Sequence, residues 1–266
     1  MASIRKHRAR LEVIRSHIVS DDLPMKGVRI IDCSQHVSTP MASHFLADQG
    51  ADVIKVEPFS GDHSRSFSAI FTHINRNKRS ICLDLKSKNG HSVLLRLIKD
   101  ADVFMQNFRP GTTQRLGIDE KALRMVNPSL IYVSVSGFGQ TGPMSKKRVY
   151  DPIIQAASGL ASIQSDENGR PKMIRLIVPD MVTALTASQA ITAALYKRLR
   201  TGKGEYLELS MLDAMVNFNW GESMAAFVEL DHEGTGRYGT NKAYVRDMIY
   251  KTKDGQFITC GAVSNK

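Results

Sequence analysis

Between residues 28 and 136, short β-branched runs alternate with segments whose apolar residues recur at helical spacing. "GVRIIDCS", "ADVIKVE", "RSICLDLK", "DVFMQNF" and "SLIYVSVSGFG" read as strands, and "PMASHFLADQG", "NGHSVLLRLIKDA" and "DEKALRMVNP" as helices. Pro40 stands where a first helical residue is favoured, and Gly50 where a helix would stop. Alternation at this spacing predicts parallel strands joined by crossover helices. Ligands of such sheets bind outside the carboxyl ends of the strands. That puts "SQHVSTP", "EPFSGDHSR", "NFRPG" and "GFGQTGP" along one rim.

The second half has a different rhythm. "DPIIQAASGLASI" and "MVTALTASQAITAALYKRLR" read as helices, and "GEYLELSMLDAMVNFNW" as a strand running into a helix. "YVRDMIYKTKDGQFITCGAV" reads as a hairpin turned by Asp254 and Gly255. A boundary is expected near residue 200, after "RTGKG". Within "RLIVPDMVTALTASQAITAALYKRL" a lone carboxylate, Asp180, separates an apolar run from a long alanine-rich helix. An Asp there can accept hydrogen bonds from the orphan N–H groups that open a helix, so a capping role is expected from the local pattern alone.

At 266 residues and 42% hydrophobic, the chain can bury a sizeable core in one large domain or two small ones. No apolar run approaches the roughly 20 residues that span a bilayer. The opening "MASIRKHRARLEVIRSHIVSDDLP" lacks the apolar centre of a secretory signal. It reads as a basic helix, compatible with a mitochondrial presequence in a eukaryote. Cys33, Cys82 and Cys260 are far apart in apolar, strand-like contexts, which fits reduced structural thiols rather than a disulfide framework or a metal site. The compartment is therefore read as reducing. The net charge of +10 is spread along the chain with no nucleic-acid recognition motif, so phosphates on a small ligand are the expected partner. Two basic clusters stand out: Arg76, Lys78 and Arg79, and Lys146, Lys147 and Arg148.

The ordered set "GVRIIDCSQHVSTPMASHFLADQGADVIKVEP", "GDHSR", "NRNKRSICLDL", "DVFMQNFRPG", "NPSLIYVSVSGFGQTGP", "YDPIIQAASGL", "VPDMVTA" and "RTGKGEYLELSMLDAM" resembles the class III CoA-transferases, the CaiB/BaiF family. The resemblance implies a Rossmann-like α/β parallel sheet with crossover helices, part of a second smaller domain, and an intertwined homodimer. The expected division is a basic extension at 1–24, a CoA-binding domain at 25–200, and a linker helix with the start of the smaller domain at 201–266. Coenzyme A is implied as a cosubstrate with no permanently bound cofactor. The implied partners are an acyl-CoA and a carboxylic acid, with neither nucleic acid nor membrane among them. The implied setting is the cytoplasm, or the mitochondrion in a eukaryote.

By the same resemblance Asp180 is the catalytic carboxylate, a nucleophile toward the thioester carbonyl. The resemblance assigns Asn107 and Phe108 to the nucleotide, and Lys78, Arg79 and Arg148 to basic contacts with CoA. Tyr150 falls near the pantetheine, and Val37 near the reacting acyl group, where formyl-CoA transferases carry a glutamine. Gly234, Gly236 and Gly239 fall in a family loop, but Arg237 and Tyr238 interrupt the glycine run. Acyl-CoA racemases share the fold and need acid/base groups on both faces of the α-carbon. Tyr150 stands before Asp151 where that branch has a histidine, Gln155 follows as in transferases, and His36 and His44 read as solvated or helix-surface residues. Relatives are usually longer, so the chain also reads as C-terminally truncated. An inactive member serving as an interaction protein is the other open reading.

Overall fold

A computed structural model describes residues 22–166, 168–223 and 249–259. Nearly all of the basic extension, the loop with Gly234, Gly236 and Gly239, and Cys260 lie outside these described residues. One compact unit takes the residues up to Arg148 together with Pro179–Ala214, and the other takes Val149–Val178 and the residues from Met215 onward.

The first unit is built on six strands, β1 (Arg29–Asp32), β2 (Asp52–Glu57), β3 (Lys78–Cys82), β4 (Val103–Gln106), β5 (Ile131–Ser136) and β6 (Tyr206–Ser210). They lie in the order β3-β2-β1-β4-β5-β6, every pair parallel. The winding reverses between β1 and β4, the switch point at which doubly wound sheets open a crevice. Because both faces are covered, the central strands are buried along their length: Ile30 packs on one side and Ile31 on the other. Helix α1 (Ser38–Asp48), helix α2 (Ser68–Asn75) and the long α8 (Val178–Thr201) supply Met41, Leu46, Ile74, Ala187 and Ile191 to the first face. Helices α3 (Lys88–Lys99), α4 (Thr112–Leu116) and α5 (Glu120–Val126) cover the second with Leu94, Ile98, Leu116 and Leu123.

Several sequence expectations shift. Helix α1 starts at Ser38 with Val37 at its N-cap, so Pro40 sits inside the first turn, where its missing N–H breaks no helical bond. His44 is not on the solvent side of that helix: it is buried at 1% exposure beside Phe45 and His73. A 3-10 turn at His63–Ser66, α2 and α4 were not anticipated, because each is short and buries a single residue. The first unit also runs past the boundary read at residue 200, since β6 completes the sheet beside β5.

In the second unit "DPIIQAASGLASI" is two helices, α6 (Asp151–Ala157) and α7 (Leu160–Ile163). Gly159 between them adopts φ 84°, a left-handed conformation that ends one helix and starts the next. Helices α9 (Met211–Phe218) and α10 (Trp220–Ser223) follow β6. The expected hairpin is present as β7 (Ile249–Lys251) and β8 (Phe257–Thr259), antiparallel, with Gly255 at φ 85° in its turn.

Candidate functional site

The carboxyl ends of β1 to β4 open into a cleft of about 380 Å³. Its walls come from the loops that follow four successive strands: Cys33 and Gln35 after β1, Pro58 to Ser60 after β2, Leu83 to Lys86 after β3, and Phe108 after β4. Leu116 and Val56 close the apolar floor. Phe108, half-buried against the second-face core, offers a flat aromatic surface, and its N–H donates to Gln106 Oε1 at 2.7 Å. Lys86 brings a cation to this rim, and sequence reading missed it. The omission is traceable, since the loop after β3 belongs to the same rim as the four loops that were named.

Asn107 faces away from any free role: its Oδ1 accepts from Gln35 N at 2.9 Å and its Nδ2 donates to Gln35 O at 2.7 Å. It ties the loop after β4 to the loop after β1 across the switch point. Val37, partly buried on the first-face core, ends that second loop. Gln35, Asn107 and Phe108 are thus brought together, with Val37 two residues from Gln35.

The basic pair of β3 does not join them. The Lys78 side chain is 2% exposed, and its ammonium binds Asp32 Oδ2 at 3.0 Å, Pro40 O at 2.7 Å and Asn75 Oδ1 at 2.9 Å. Arg79, one residue on, points to the other side of the strand and clasps Asp52, the first residue of β2, from 2.7 Å. That places its guanidinium at the amino end of the sheet, opposite the cleft. Arg148 and Tyr150 are exposed, and Tyr150 is the N-cap residue of α6.

Asp180 is the third residue of α8, inside its first turn rather than at the cap. Its position along the sheet follows from the far end of that helix. Arg198, in the last turn, donates to Asp102 Oδ1 at 2.6 Å and to Asp102 O, just before β4 begins. The C-terminus of α8 therefore lies at the amino edge. Asp180 is 18 residues back, about 27 Å along the axis at 1.5 Å per residue. Strands of 4 to 6 residues extend only about 13 to 20 Å. Ala184, Ala187, Ile191 and Ala194 lay α8 on the first face, so its first turn, with Asp180, lies away from the amino edge, while the cleft opens on the second face. In the second unit, Gln155 Nε2 donates to Asp151 Oδ1 at 2.6 Å and to Ile174 O at 3.1 Å, while its Oε1 accepts from Ile174 N at 2.9 Å. The glutamine thereby fixes the backbone that leads into α8.

A buried charge network underlies the rim. Asp32 accepts from Ser34 N at 2.9 Å, from the Ser34 hydroxyl, and from Ser43 Oγ at 2.6 Å, besides its pair with Lys78. Burial alone would raise its pKa. The ammoniums of Lys78 and Lys55 and the two hydroxyls outweigh that and hold the carboxyl at about 2. Burial brings the Lys78 ammonium down to about 8 against the pull of Asp32, so both partners are charged at neutral pH. Lys55, at 1% exposure, pairs with Asp62 Oδ2 at 2.8 Å and donates to Ser34 O at 2.9 Å. Glu57 is desolvated too, yet its carboxyl is held low by two bonds from Arg65, both 2.7 Å, and by Asp62 N. The Cys33 thiol at the cleft wall is pushed up by burial and by the Asp32 carboxylate. Among the described residues no cluster of three or more His, Cys, Asp or Glu could hold a metal ion, and no helix is long and apolar enough to cross a membrane.

The family profile of CoA-transferase family III matches residues 25–266, and the chain belongs to that family. It is 37% identical over 253 residues to succinyl-CoA:glutarate CoA-transferase of Mus musculus, covering 91% of this chain and 57% of the mouse protein. It is 40% identical over 205 residues to succinate–glutarate CoA-transferase of Agrobacterium fabrum, covering 71% and 51%. The crystal structure of a CaiB/BaiF family protein from Brucella suis superposes with a TM-score of 0.74 at 33% identity, over 76% of this chain and 57% of that one. The chain therefore spans little more than half the length of these relatives.

Proposed function

We propose that this chain carries the CoA-binding and acyl-accepting part of a transferase that moves CoA from an acyl-CoA thioester to a free carboxylic acid. The observation that supports the reading is that Asp180 lies in the first turn of a 24-residue helix whose far end is tied through Arg198 to the amino edge of the sheet, while the cleft opens at the carboxyl edge. The cleft is too small for a whole CoA and suits its nucleotide end, with Phe108 as an aromatic surface and Lys86 as a phosphate partner. The pantetheine then crosses the rim past Gln35 and Val37 toward Asp180.

The Asp180 carboxylate attacks the thioester carbonyl, a C–O bond forms and the C–S bond breaks, leaving a mixed anhydride and the CoA thiolate. The thiolate attacks the aspartyl carbonyl, releasing the donor acid and leaving an aspartyl-CoA thioester. The acceptor carboxylate attacks that thioester and frees the thiolate again. The thiolate then attacks the acceptor's acyl carbon, giving the new acyl-CoA and restoring Asp180. Oxyanions form at every tetrahedral step, so N–H donors near Asp180 contribute to the rate. The relatives named for glutarate and succinate make small dicarboxylic acids the first acceptors to try, and the family resemblance makes a homodimer the working assembly.

The test is a panel of acyl-CoA donors and free acids read by mass spectrometry, with hydroxylamine trapping. Hydroxylamine should label the peptide that contains Asp180 only when a reactive acyl-CoA is present. Asp180→Asn should lose turnover by at least 1,000-fold, of the order seen when an essential nucleophile is removed. Undiminished turnover in that variant would remove Asp180 from the mechanism. Solvent deuterium entering the α-carbon with no acceptor acid would favour racemisation instead.

A further inference from the structure

The loop between β1 and α1 is gripped at successive backbone groups by side chains from four places. Ser34 N donates to Asp32 Oδ1 at 2.9 Å, and Ser34 O accepts from Lys55 Nζ at 2.9 Å. Asn107 holds both backbone groups of Gln35. His36 N donates to Asp62 Oδ1 at 3.2 Å. His36 itself sits at φ 65°, a conformation that is uncommon and strained for a residue other than glycine. Surface loops are ordinarily satisfied by water and stay mobile. Here the partners are fully desolvated charges: the side chains of Lys55 and Asp62 are 2% and 0% exposed and form an ion pair of 2.8 Å.

A buried ion pair is a poor device for stability, since an apolar pair of similar volume is often as good or better. Neither charge enters the chemistry proposed for Asp180. Both are nevertheless aimed at one loop, and Gln35 of that loop is a wall of the cleft while Val37 opens α1. Asp62 is fixed from its own side: its Oδ1 also accepts from Ser64 N and Ser64 Oγ, each 2.8 Å away. We infer that Lys55 and Asp62 are a positioning pair that pre-forms residues 34–37 as one wall of the ligand cleft. The inference rests on the CoA reading only for the identity of the ligand.

The test compares the native chain with Lys55→Met/Asp62→Leu, an apolar pair of similar bulk, and with Lys55→Arg, which keeps the charge. Three quantities are measured: thermal melting, hydrogen exchange in peptides spanning 33–38 and the strands, and CoA affinity by calorimetry. The double variant should melt cooperatively and exchange residues 33–38 at least tenfold faster, with β1 to β4 still protected. It should bind CoA at least fivefold more weakly, and Lys55→Arg should retain most of the protection. Native exchange at 33–38 in a folded double variant would overturn the inference. So would loss of protection throughout the sheet with CoA affinity unchanged, or failure of the double variant to fold, since either outcome marks a pair that serves stability alone. If the native chain fails to bind CoA, the ligand assignment falls, and the exchange data by themselves decide whether the pair positions the loop.

Discussion

The two ends of one parallel sheet use the same residue types to opposite effect. At the carboxyl rim Asp32, Lys55 and Asp62 are buried, Lys78 reaches them from the start of β3 with its side chain 2% exposed, and each of the four holds backbone of a neighbouring loop or helix. At the amino edge, Arg79 and Arg29 flank Asp52, with Arg79 66% and Asp52 37% exposed. A desolvated charge whose partner is lost cannot be rescued by water, so the rim network has a steep response to single changes. A solvated ladder can trade each partner for water, and its response is shallow. Lys78 and Arg79 make the contrast within two adjacent residues, because strand alternation sends them to opposite faces.

The steepest response is expected from Lys55→Met alone. It strands the Asp62 carboxylate in the interior and should cost about 3 to 5 kcal/mol in denaturant unfolding. Adding Asp62→Leu should return much of that loss. A single variant as stable as the native chain would show that water reaches the pair and that the two ends of the sheet do not differ in kind.

Next comes the acid limb. Asp32 titrates at about 2 when folded against an ordinary 3.8, so the folded state binds the proton less tightly than the unfolded chain. Its stabilising share is fully present above pH 3.8 and is lost as pH falls through about 2. A shift of this size corresponds to roughly 2 kcal/mol. Stability followed between pH 5 and pH 2 should fall steeply, and Asp32→Asn should flatten that limb while lowering stability at pH 7. An unchanged slope would mean that other carboxylates govern acid unfolding.

A smaller change is expected at the mouth of the cleft. Lys86→Glu should weaken CoA binding about tenfold, with the loss shrinking as salt rises, because one charge-assisted contact is worth about 1.5 kcal/mol or more. Stability should barely move, as Lys86 is exposed. Equal CoA affinity would direct attention to Arg148.

Much of the sheet was legible because parallel strands buried on both faces read as continuous apolar runs, and five of its six strands fall where "GVRIIDCS" to "SLIYVSVSGFG" put them. The sixth was read as a strand but assigned beyond a boundary, since nothing local tells an edge strand from the first strand of a new domain. Phe108 was reachable from the rim rule together with its motif. Its partner Asn107 came with the same motif, but a side chain that clamps Gln35 from 72 residues away leaves no periodic trace. Lys55 and Asp62 were invisible as a pair for the same reason: one sits mid-strand in "VIKVE" and the other in "SGDHS", and only the fold closes the distance between them. His44 was misread because its helix is buried on nearly every side and its small polar residues are scattered among apolar ones, so no polar face marked which way it turns.

The smallest effect is expected at Arg79, and it is the most direct test of the contrast. The family resemblance assigned this residue to CoA phosphates, whereas its guanidinium reaches Asp52 at the opposite end of the sheet. Arg79→Ala removes three hydrogen bonds to one partly exposed carboxylate that Arg29 still faces from 3.1 Å. An exposed pair of this kind contributes about 0 to 1 kcal/mol, less in high salt. CoA affinity should stay within twofold of the native value at both low and high ionic strength. A tenfold loss of affinity that fades with salt would put Arg79 back among the ligand contacts. The guanidinium would then have to leave Asp52 when CoA binds, and the amino edge would be part of the site rather than its structural counterweight.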